Sequence, residues 1–349
     1  MDNNKNFTLI NKSERQKLYD LLPLDKPLAL FIEPTNYCNF KCKPCAHGQD
    51  KNREDLKPFM HLDFNSYCKV IEELKNWGGD KLKLLRLTAL GEPFMNSQMC
   101  KMIKIAKEAD VAERVDLFSN GSLLNEDICK QIIDSGLDHI RISIYAAMQD
   151  HHDDVTQTMF SVQKIRDNIA LLRKLRDESG KDKPFIQVKM FDTYSYENDV
   201  FIAMYKDLAD EIGFEKVHDA TKYNDSDLVG SYYKNPEDAK KTREEFNKSL
   251  NDFEVCPRPF MALVICSNGD VVMCTHDAPR ATRIDNINNN SLKDIWNGSE
   301  LYKFRKMLLT GNKHKNILCK NCDWYRLFPE EDKIDGFPLE KLPKGECHD

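Results

Sequence analysis

The sequence lacks any apolar run of the roughly 20 residues that a membrane-spanning helix needs. Residues 1–11 are polar, so they do not read as a secretory signal peptide. An excess of positive charge is also absent, because 51 Lys and Arg against 57 Asp and Glu give a formal net charge of −6 and a pI near 5.9. We therefore expect a cytoplasmic protein whose main partner is neither a membrane nor a nucleic-acid backbone.

Cysteine, by contrast, is abundant, with 12 residues in a chain of 349. In a chain of this size and expected location, clustered cysteines indicate metal or redox sites rather than disulfides. Cys68, Cys100 and Cys129 stand alone within helical patterns, and we expect them to be small buried residues. Most of the others fall into two groups.

The first group is a loop in which Cys38, Cys42 and Cys45 follow an apolar run with the spacing C-x3-C-x2-C. A [4Fe-4S] cluster takes one thiolate for each iron, so three cysteines leave one iron open to a non-protein ligand. Structural zinc is the alternative, with His47 as the nearby residue to complete it, but zinc sites usually show C-x2-C pairs. The spacing favours an iron–sulfur cluster with one open position.

This loop resembles the cluster loop of the radical S-adenosylmethionine (SAM) superfamily. The resemblance implies that the amino and carboxylate groups of SAM chelate the open iron. It further implies that an electron, delivered by a flavodoxin or ferredoxin, cleaves SAM to a 5′-deoxyadenosyl radical that abstracts hydrogen from unactivated carbon. The sequence departs from the family at Pro44, where an aromatic residue usually precedes the third cysteine.

Strand and helix patterns alternate after a polar leader at residues 1–27. Short apolar strands are expected near residues 28–32, 84–88, 114–119, 140–145, 185–190 and 216–220. Helices are expected at about 98–109, 126–135, 162–178 and 199–212, with an earlier one capped by Asp63. Such alternation implies a parallel sheet with right-handed crossovers. The expected fold class is therefore α/β, a partial (β/α)6 TIM-like barrel over residues 28–220 with its catalytic loops at the carboxyl ends of the strands.

Three segments of this barrel resemble SAM-binding elements of the family. Gly91-Glu92-Pro93 after the second strand is similar to a Gly-Gly-Glu-Pro element, whose backbone and carboxylate can accept the SAM ammonium. Ser143 in the fourth strand is a second expected contact to SAM. Lys189 is the candidate to neutralise the SAM carboxylate, because Thr156 and Gln157 stand where related enzymes place an arginine.

Two other polar segments are expected to have no binding role. His151-His152-Asp153-Asp154 is interpreted as a solvated charged loop, since adjacent side chains on a loop diverge and do not gather around a metal. Asn120 precedes Gly121 and is interpreted as a turn residue.

The second cysteine group contains Cys256, Cys274, Cys319 and Cys322, after a polar bridging segment at residues 221–254. Two β-rich runs around residues 267–270 predict a β-hairpin within it. Four cysteines with a C-x2-C pair would also suit zinc. The pattern resembles Twitch, a shortened SPASM module, which implies one auxiliary iron–sulfur cluster, [4Fe-4S] in type. We therefore expect a small α+β Twitch-type domain at residues 255–330 and a C-terminal tail at 331–349.

Together these resemblances predict a radical SAM oxidoreductase of dehydrogenase type. Its expected substrate is a small carbohydrate or cyclitol, whose alcohol becomes a ketone while the auxiliary cluster accepts the second electron. One alternative is peptide maturation, although 27 residues before the first strand are too few to bury a core of their own. Another is a radical epimerase in which Cys266 returns a hydrogen atom, although its alternating strand favours a core role. A two-cluster electron carrier is the non-enzymatic alternative.

Overall fold

The computed structural model describes residues 16–49, 54–219 and 227–345. Within this part of the chain, nine strands form one open sheet in the order β6-β5-β4-β3-β2-β1-β7-β8-β9. The strands are β1 (Ala29–Ile32), β2 (Leu84–Arg86), β3 (Val115–Ser119), β4 (His139–Ile144), β5 (Phe185–Phe191), β6 (Glu211–Glu215), β7 (Ala262–Ile265), β8 (Asp270–Val272) and β9 (Arg283–Asn286). Neighbours from β6 to β7 are parallel, and β8 and β9 continue the sheet antiparallel. The fold is the expected partial barrel followed by a hairpin-bearing C-terminal part.

Helices connect the parallel strands and cover one face of the sheet. In chain order they are α1 (Leu18–Leu21), α2 (Phe64–Asn76), α3 (Met99–Ala109), α4 (Glu126–Ser135), α5 (Gln149–Thr156), α6 (Val162–Glu178), α7 (Glu197–Tyr205), α8 (Leu228–Tyr232), α9 (Pro236–Lys248), α10 (Arg258–Met261), α11 (Leu292–Asn297) and α12 (Ser299–Leu309). Side-chain caps fix several starts, as where Asn125 accepts from the Ile128 amide at 2.9 Å. No described helix has the length and hydropathy of a membrane span.

The two faces of the sheet have different contents. Leu30, Leu85, Leu117 and Ile142 belong to a large apolar core with the inward sides of helices α2, α3, α4 and α6. The alternate residues point to the opposite face, called here the inner face. Near β1 and β7 that face is apolar and is covered by C-terminal segments, while toward β5 it is charged. Buried charged residues are uncommon in proteins, so we expect the functional site on the inner face.

The inner face carries an ionic ladder across neighbouring strands. Asp116 is fully buried and accepts two hydrogen bonds from Arg86, each at 2.7 Å. The guanidinium carbons of Arg86 and Arg141 lie 3.9 and 3.5 Å from the centre of the Phe118 ring. Arg141 also donates to Glu215 at 2.9 Å, so the ladder reaches β6.

The sixth strand lies earlier in the chain than the sequence suggested. It was expected at residues 216–220, but β6 is Glu211–Glu215, and the helix expected to extend to residue 212 ends at Tyr205. All five residues of β6 are only half-buried, because it is the edge strand. An edge strand lacks the apolar run that marks a central strand, and Val217 instead packs into a separate small core with Val229 and Tyr232.

The hairpin expected in a separate small domain belongs to the same sheet as the barrel. Strand β7 pairs in parallel with β1, from Ala29 opposite Ala262 to Ile32 opposite Ile265. The domain boundaries expected at residues 27, 220, 254 and 330 remain predictions. The sheet contains strands from both sides of the boundaries at 220 and 254. Cys347 and most of the leader lie outside the described residues.

Candidate active site

The three-cysteine loop folds back on itself directly after β1. The Cys45 amide donates to the Cys42 carbonyl at 2.9 Å, and the Gly48 amide donates to the Cys45 carbonyl at 2.9 Å. A Cβ atom at Gly48 would lie 2.1 Å from the Cys42 carbonyl oxygen, so this turn requires glycine. The tight turn gathers the three thiols in one short segment.

Helix α5 anchors this loop, which corrects the interpretation of residues 151–154 as a solvated loop. Its last carbonyls, on Val155 and Thr156, accept from the Lys43 and Lys41 amides at 2.8 and 3.0 Å. His152 is 1% exposed and packs edge-on against Phe40 with ring centroids 5.8 Å apart. The run of polar and charged residues gave no helical pattern in the sequence, but it forms a helix whose buried side supports the cysteine loop.

Asn120 does more than form a turn. Its side-chain oxygen accepts from the Ser122 amide at 2.9 Å, which is the expected turn contact. Its side-chain nitrogen donates to Asn39 of the cysteine loop at 2.9 Å. The loop after β3 therefore holds the cysteine loop from a second side.

Tyr145, at the end of β4, joins the cysteine loop to the inner face and was not identified from sequence. Burial, followed by Cys45 and Cys38, raises the pKa of Cys42 well above its usual value, and a hydrogen bond from Tyr145 opposes that rise. The Tyr145 ring lies 5.6 Å from that of Phe191 on β5. Its only signal in the sequence is its place two residues after Ser143.

The thiol arrangement fits a cluster better than a single ion. The part of the chain that the structure describes holds no group of three Cys, His, Asp or Glu side chains gathered closely enough for one metal ion. The three thiols are nevertheless near enough for Cys38 and Cys45 to raise the pKa of Cys42. A cube of four irons separates its thiolates more widely than a zinc ion does, and it supplies the positive charge that drives thiol deprotonation.

The Gly91-Glu92-Pro93 element lies against the cysteine loop. The Glu92 amide donates to the Tyr37 carbonyl at 2.8 Å. The Glu92 carboxylate accepts from the Ser119 hydroxyl at 2.8 Å and the Asn120 amide at 2.7 Å. Burial raises the pKa of Glu92 to about 7, against these hydrogen bonds. The carboxylate thus joins the loops after β2 and β3, and its predicted contact with the SAM ammonium remains a prediction.

Gly91 allows the close approach of these two segments, and we expect Gly91→Ala to be damaging. Its φ is +87°, and a Cβ atom would lie 2.4 Å from the Thr35 carbonyl oxygen. The substitution should lower SAM affinity at least about tenfold and also reduce iron retention, since relieving the clash moves the cysteine loop. Gly78→Ala is the control, because Gly78 has φ +78° but no atom within 4 Å of the added carbon. Titration with SAM and iron analysis of both variants test this, and equal effects would contradict it.

Glu33 is a second residue that sequence reasoning did not single out. It is 1% exposed, and its carboxylate accepts from the Ser267 amide at 3.0 Å, the Ser267 hydroxyl at 2.9 Å and the Leu90 amide at 3.1 Å. Arg280 approaches the same carboxylate at 3.4 Å. Glu33 therefore ties the end of β1 to both the hairpin turn and the loop that carries Gly91.

The remaining predicted SAM contacts share one level of the inner face. Ser143 on β4 stands opposite Lys189 on β5. Lys189 forms an ion pair with Glu215 on β6, so its ammonium group is already paired with a carboxylate of the ionic ladder. Ser143 lies one residue before the end of β4 and Lys189 two residues before the end of β5, and their contacts with SAM remain predictions.

The four later cysteines lie near one another although they come from distant segments. Burial raises the pKa of Cys319, and Cys256, Cys274 and Cys322 raise it further, so all four thiols share one neighbourhood. Burial also raises the pKa of Cys256 and of Cys274 to about 12 each. Four thiols in one neighbourhood fit the four thiolates that hold an iron–sulfur cluster.

Cys266 lies apart from this set. It directly follows β7, is 3% exposed and packs in the apolar cluster that includes Phe31, Val264 and Val272. Burial, followed by the charge of Glu33, raises the pKa of its thiol well above the usual value. This packing agrees with the favoured core role, and hydrogen donation by Cys266 remains an untested alternative.

An open parallel sheet with a three-cysteine loop after β1 and a four-cysteine set in its C-terminal part defines an iron–sulfur protein with two thiolate sites. Family models identify both parts: residues 32–182 match the radical SAM superfamily, and residues 256–323 match SPASM, an iron-sulfur cluster-binding domain. The chain belongs to the radical SAM superfamily and carries a SPASM domain. It is therefore an enzyme that uses a [4Fe-4S] cluster with SAM and an auxiliary iron–sulfur cluster.

Individual relatives agree with this assignment. The chain is similar to an S-adenosyl-L-methionine-dependent 2-deoxy-scyllo-inosamine dehydrogenase of Niallia circulans, with 21% identity over 309 residues that cover 88% of this chain and 98% of the relative. Its fold resembles that of BtrN in complex with AdoMet and 2-DOIA (TM-score 0.54, 18% identity, 85% of this chain and 93% of the other). It also resembles Streptococcus suis SuiB bound to precursor peptide SuiA (TM-score 0.61, 14% identity, 88% and 73%). These two structural likenesses concern the fold.

Proposed function

We propose that the protein oxidises a secondary alcohol of a cyclitol or sugar to a ketone. The observation that carries the proposal is that both thiol groups adjoin one inner face. Tyr145 links the three-cysteine loop to β4 and β5. His218, just past β6, packs against Trp324, two residues after Cys322. A substrate on this face would meet the radical source on one side and an electron acceptor on the other. The dehydrogenase of Niallia circulans, similar along nearly its whole length, supports the same reaction class.

The chain's own residues would hold and enclose the reactants. Cys38, Cys42 and Cys45 would hold the cluster that, with SAM, supplies the 5′-deoxyadenosyl radical. Gly91 lets the loop after β2 pack against that cysteine loop, next to the expected SAM site. The charged rows of β4, β5 and β6 offer hydrogen-bond partners for the hydroxyl or amino groups of a polar ring. A flavodoxin or ferredoxin would provide the first electron.

The test uses anaerobically reconstituted protein with SAM, dithionite and 2-deoxy-scyllo-inosamine as the probe. We expect one ketone for each 5′-deoxyadenosine, because the second electron leaves the substrate and no hydrogen atom returns. Cys266→Ser should retain turnover, since the thiol packs in the core. Recovery of an epimer that carries solvent deuterium, and is lost in Cys266→Ser, would instead establish epimerisation. Turnover of a peptide but not of the cyclitol would move the enzyme to peptide maturation.

A further inference from the structure

Arg258 lies at the start of α10, two residues after Cys256. The residue is 7% exposed, and its guanidinium packs against the rings of Phe31 and Phe328, whose centres lie 5.3 and 5.2 Å from the guanidinium carbon. Phe31 belongs to β1, so this cation lies where the barrel meets the C-terminal part of the chain. These contacts hold a positive charge inside the protein.

The charge of Arg258 has no counter-ion in the described part of the chain. None of the ion pairs among residues 16–49, 54–219 and 227–345 includes Arg258. Its Nη1 atom is buried and has no hydrogen-bond partner there. Arg86, which contacts the same Phe31 ring at 5.6 Å, is by contrast paired with Asp116. Because a buried charge without a partner is strongly destabilising, the position of Arg258 indicates an anion that completes it.

The four-cysteine set can supply this anion. Burial raises the pKa of Cys274 to about 12, and the next largest influence on it is the charge of Arg258, which lowers it. Burial, followed by Cys322, raises the pKa of Cys256 to about 12, against the backbone amide and the charge of Arg258. The guanidinium is therefore close to the set. When the set holds its cluster, four thiolates outnumber the positive charges of the cluster core, so the site as a whole is negatively charged.

Two other cations of the C-terminal part are less suited to this role. Lys313 donates to the Cys322 carbonyl at 3.0 Å and is only half-buried, so that water screens its charge. Arg305 has the same exposure as Arg258, but its Nε atom donates to the Pro259 carbonyl at 2.9 Å. Of the three, Arg258 combines deep burial, the absence of a described counter-ion and an influence on two thiols of the set.

We propose that Arg258 is the counter-cation of the auxiliary cluster and raises the reduction potential of that cluster. Reduction adds one electron and makes the site more negative by one charge, with no bond broken and no proton moved. A fixed positive charge nearby, in a medium of low dielectric constant, stabilises the reduced state more than the oxidised state. In the dehydrogenation proposed above, this favours transfer of the second substrate electron to the cluster. Arg258 acts through the cluster and is therefore a positioning residue.

The experiment is a potentiometric titration of the anaerobically reconstituted enzyme, followed by electron paramagnetic resonance. Spectra with and without SAM identify the auxiliary cluster as the one whose signal SAM leaves unchanged. In Arg258→Gln the equilibrium constant for one-electron reduction of this cluster should fall at least about tenfold, a shift of about 59 mV to lower potential. Arg258→Lys keeps the charge and should recover most of the difference. Arg305→Gln removes an equally buried cation and is the matched control, with an expected change below about threefold.

The two variants of Arg258 separate charge from packing. An unchanged potential in Arg258→Gln, or an equal fall in Arg258→Gln and Arg258→Lys, would overturn the proposal. Loss of about four irons from Arg258→Gln but not from Arg258→Lys would support it, because the cluster would then need the cation to assemble. Loss from both would overturn it and assign Arg258 to packing against Phe31 and Phe328. The titration uses no substrate, so wild type that forms no ketone would overturn the dehydrogenase function while the potentials still decide the role of Arg258.

Discussion

Replacing Cys38, Cys42 and Cys45 together by Ala should halve the iron content and abolish SAM cleavage. Reconstituted wild type should bind about eight irons, as expected for two tetranuclear clusters, and the triple variant about four. The reason is that the three thiols lie in one loop, which is hydrogen-bonded to the last carbonyls of α5 and to the Asn120 side chain. The four later cysteines lie in a different neighbourhood and should keep their cluster. Iron analysis, absorption near 400 nm and 5′-deoxyadenosine production measure the result.

The matched control replaces Cys68, Cys100 and Cys129, which lie in α2, α3 and α4 and outside both groups, by Ala. Of these three, Cys129 is buried as expected, whereas Cys68 and Cys100 are half-buried. It should leave the iron content at the wild-type value. The reciprocal variant, without the four later cysteines, should keep about four irons and still cleave SAM while forming no ketone. Zinc instead of iron in protein purified without oxygen, with no absorption near 400 nm, would contradict the assignment of both sites.

Much of the architecture followed from local signals. The bounds of α4 and α6 agree with the expected 126–135 and 162–178, because Asn125 and Ser161 cap their first turns. The first five strands were located because central parallel strands are short apolar runs. The first cysteine group followed from its spacing, and the second from its resemblance to Twitch. In each case the signal lies within a few residues of the feature it specifies.

Long-range relations were not accessible in this way. Nothing near Ala262 indicates that it pairs with Ala29, because backbone hydrogen bonds between strands carry no side-chain signature. Helix α5 was missed because its buried side is short and includes a histidine, His152, beside Val155 and Thr156. Glu33, Tyr145 and His218 gain their roles from neighbours that are distant in the chain. A single sequence therefore predicted which cysteines lie together, but not the residues that join these segments across the fold.

The ionic ladder beneath the site should be the part of the fold most sensitive to a single substitution, and we expect Asp116→Ala to destabilise the protein by about 3–5 kcal/mol. Asp116 is fully buried and accepts from Arg86 and Arg114, each at 2.7 Å. Its removal leaves two guanidinium groups without their carboxylate, and Arg86 remains confined against the Phe118 ring. Urea denaturation under anaerobic conditions measures the loss, and Glu126→Ala, at an exposed pair with Lys130, should leave the midpoint unchanged.

The pH dependence of the free energy of unfolding provides a second test of this ion pair. Burial alone would raise the pKa of Asp116, but the Arg86 guanidinium, assisted by Arg114, outweighs it and lowers the pKa to about 2. Because this lies below the value of about 3.9 in an unfolded chain, the stabilisation is complete above pH 4 and is lost only as the pH falls toward 2. The difference between wild type and Asp116→Ala should therefore stay constant from pH 7 to pH 5. A difference that already narrows in this interval would mean that Asp116 is protonated in the folded protein, and that the ladder is not the ion pair described.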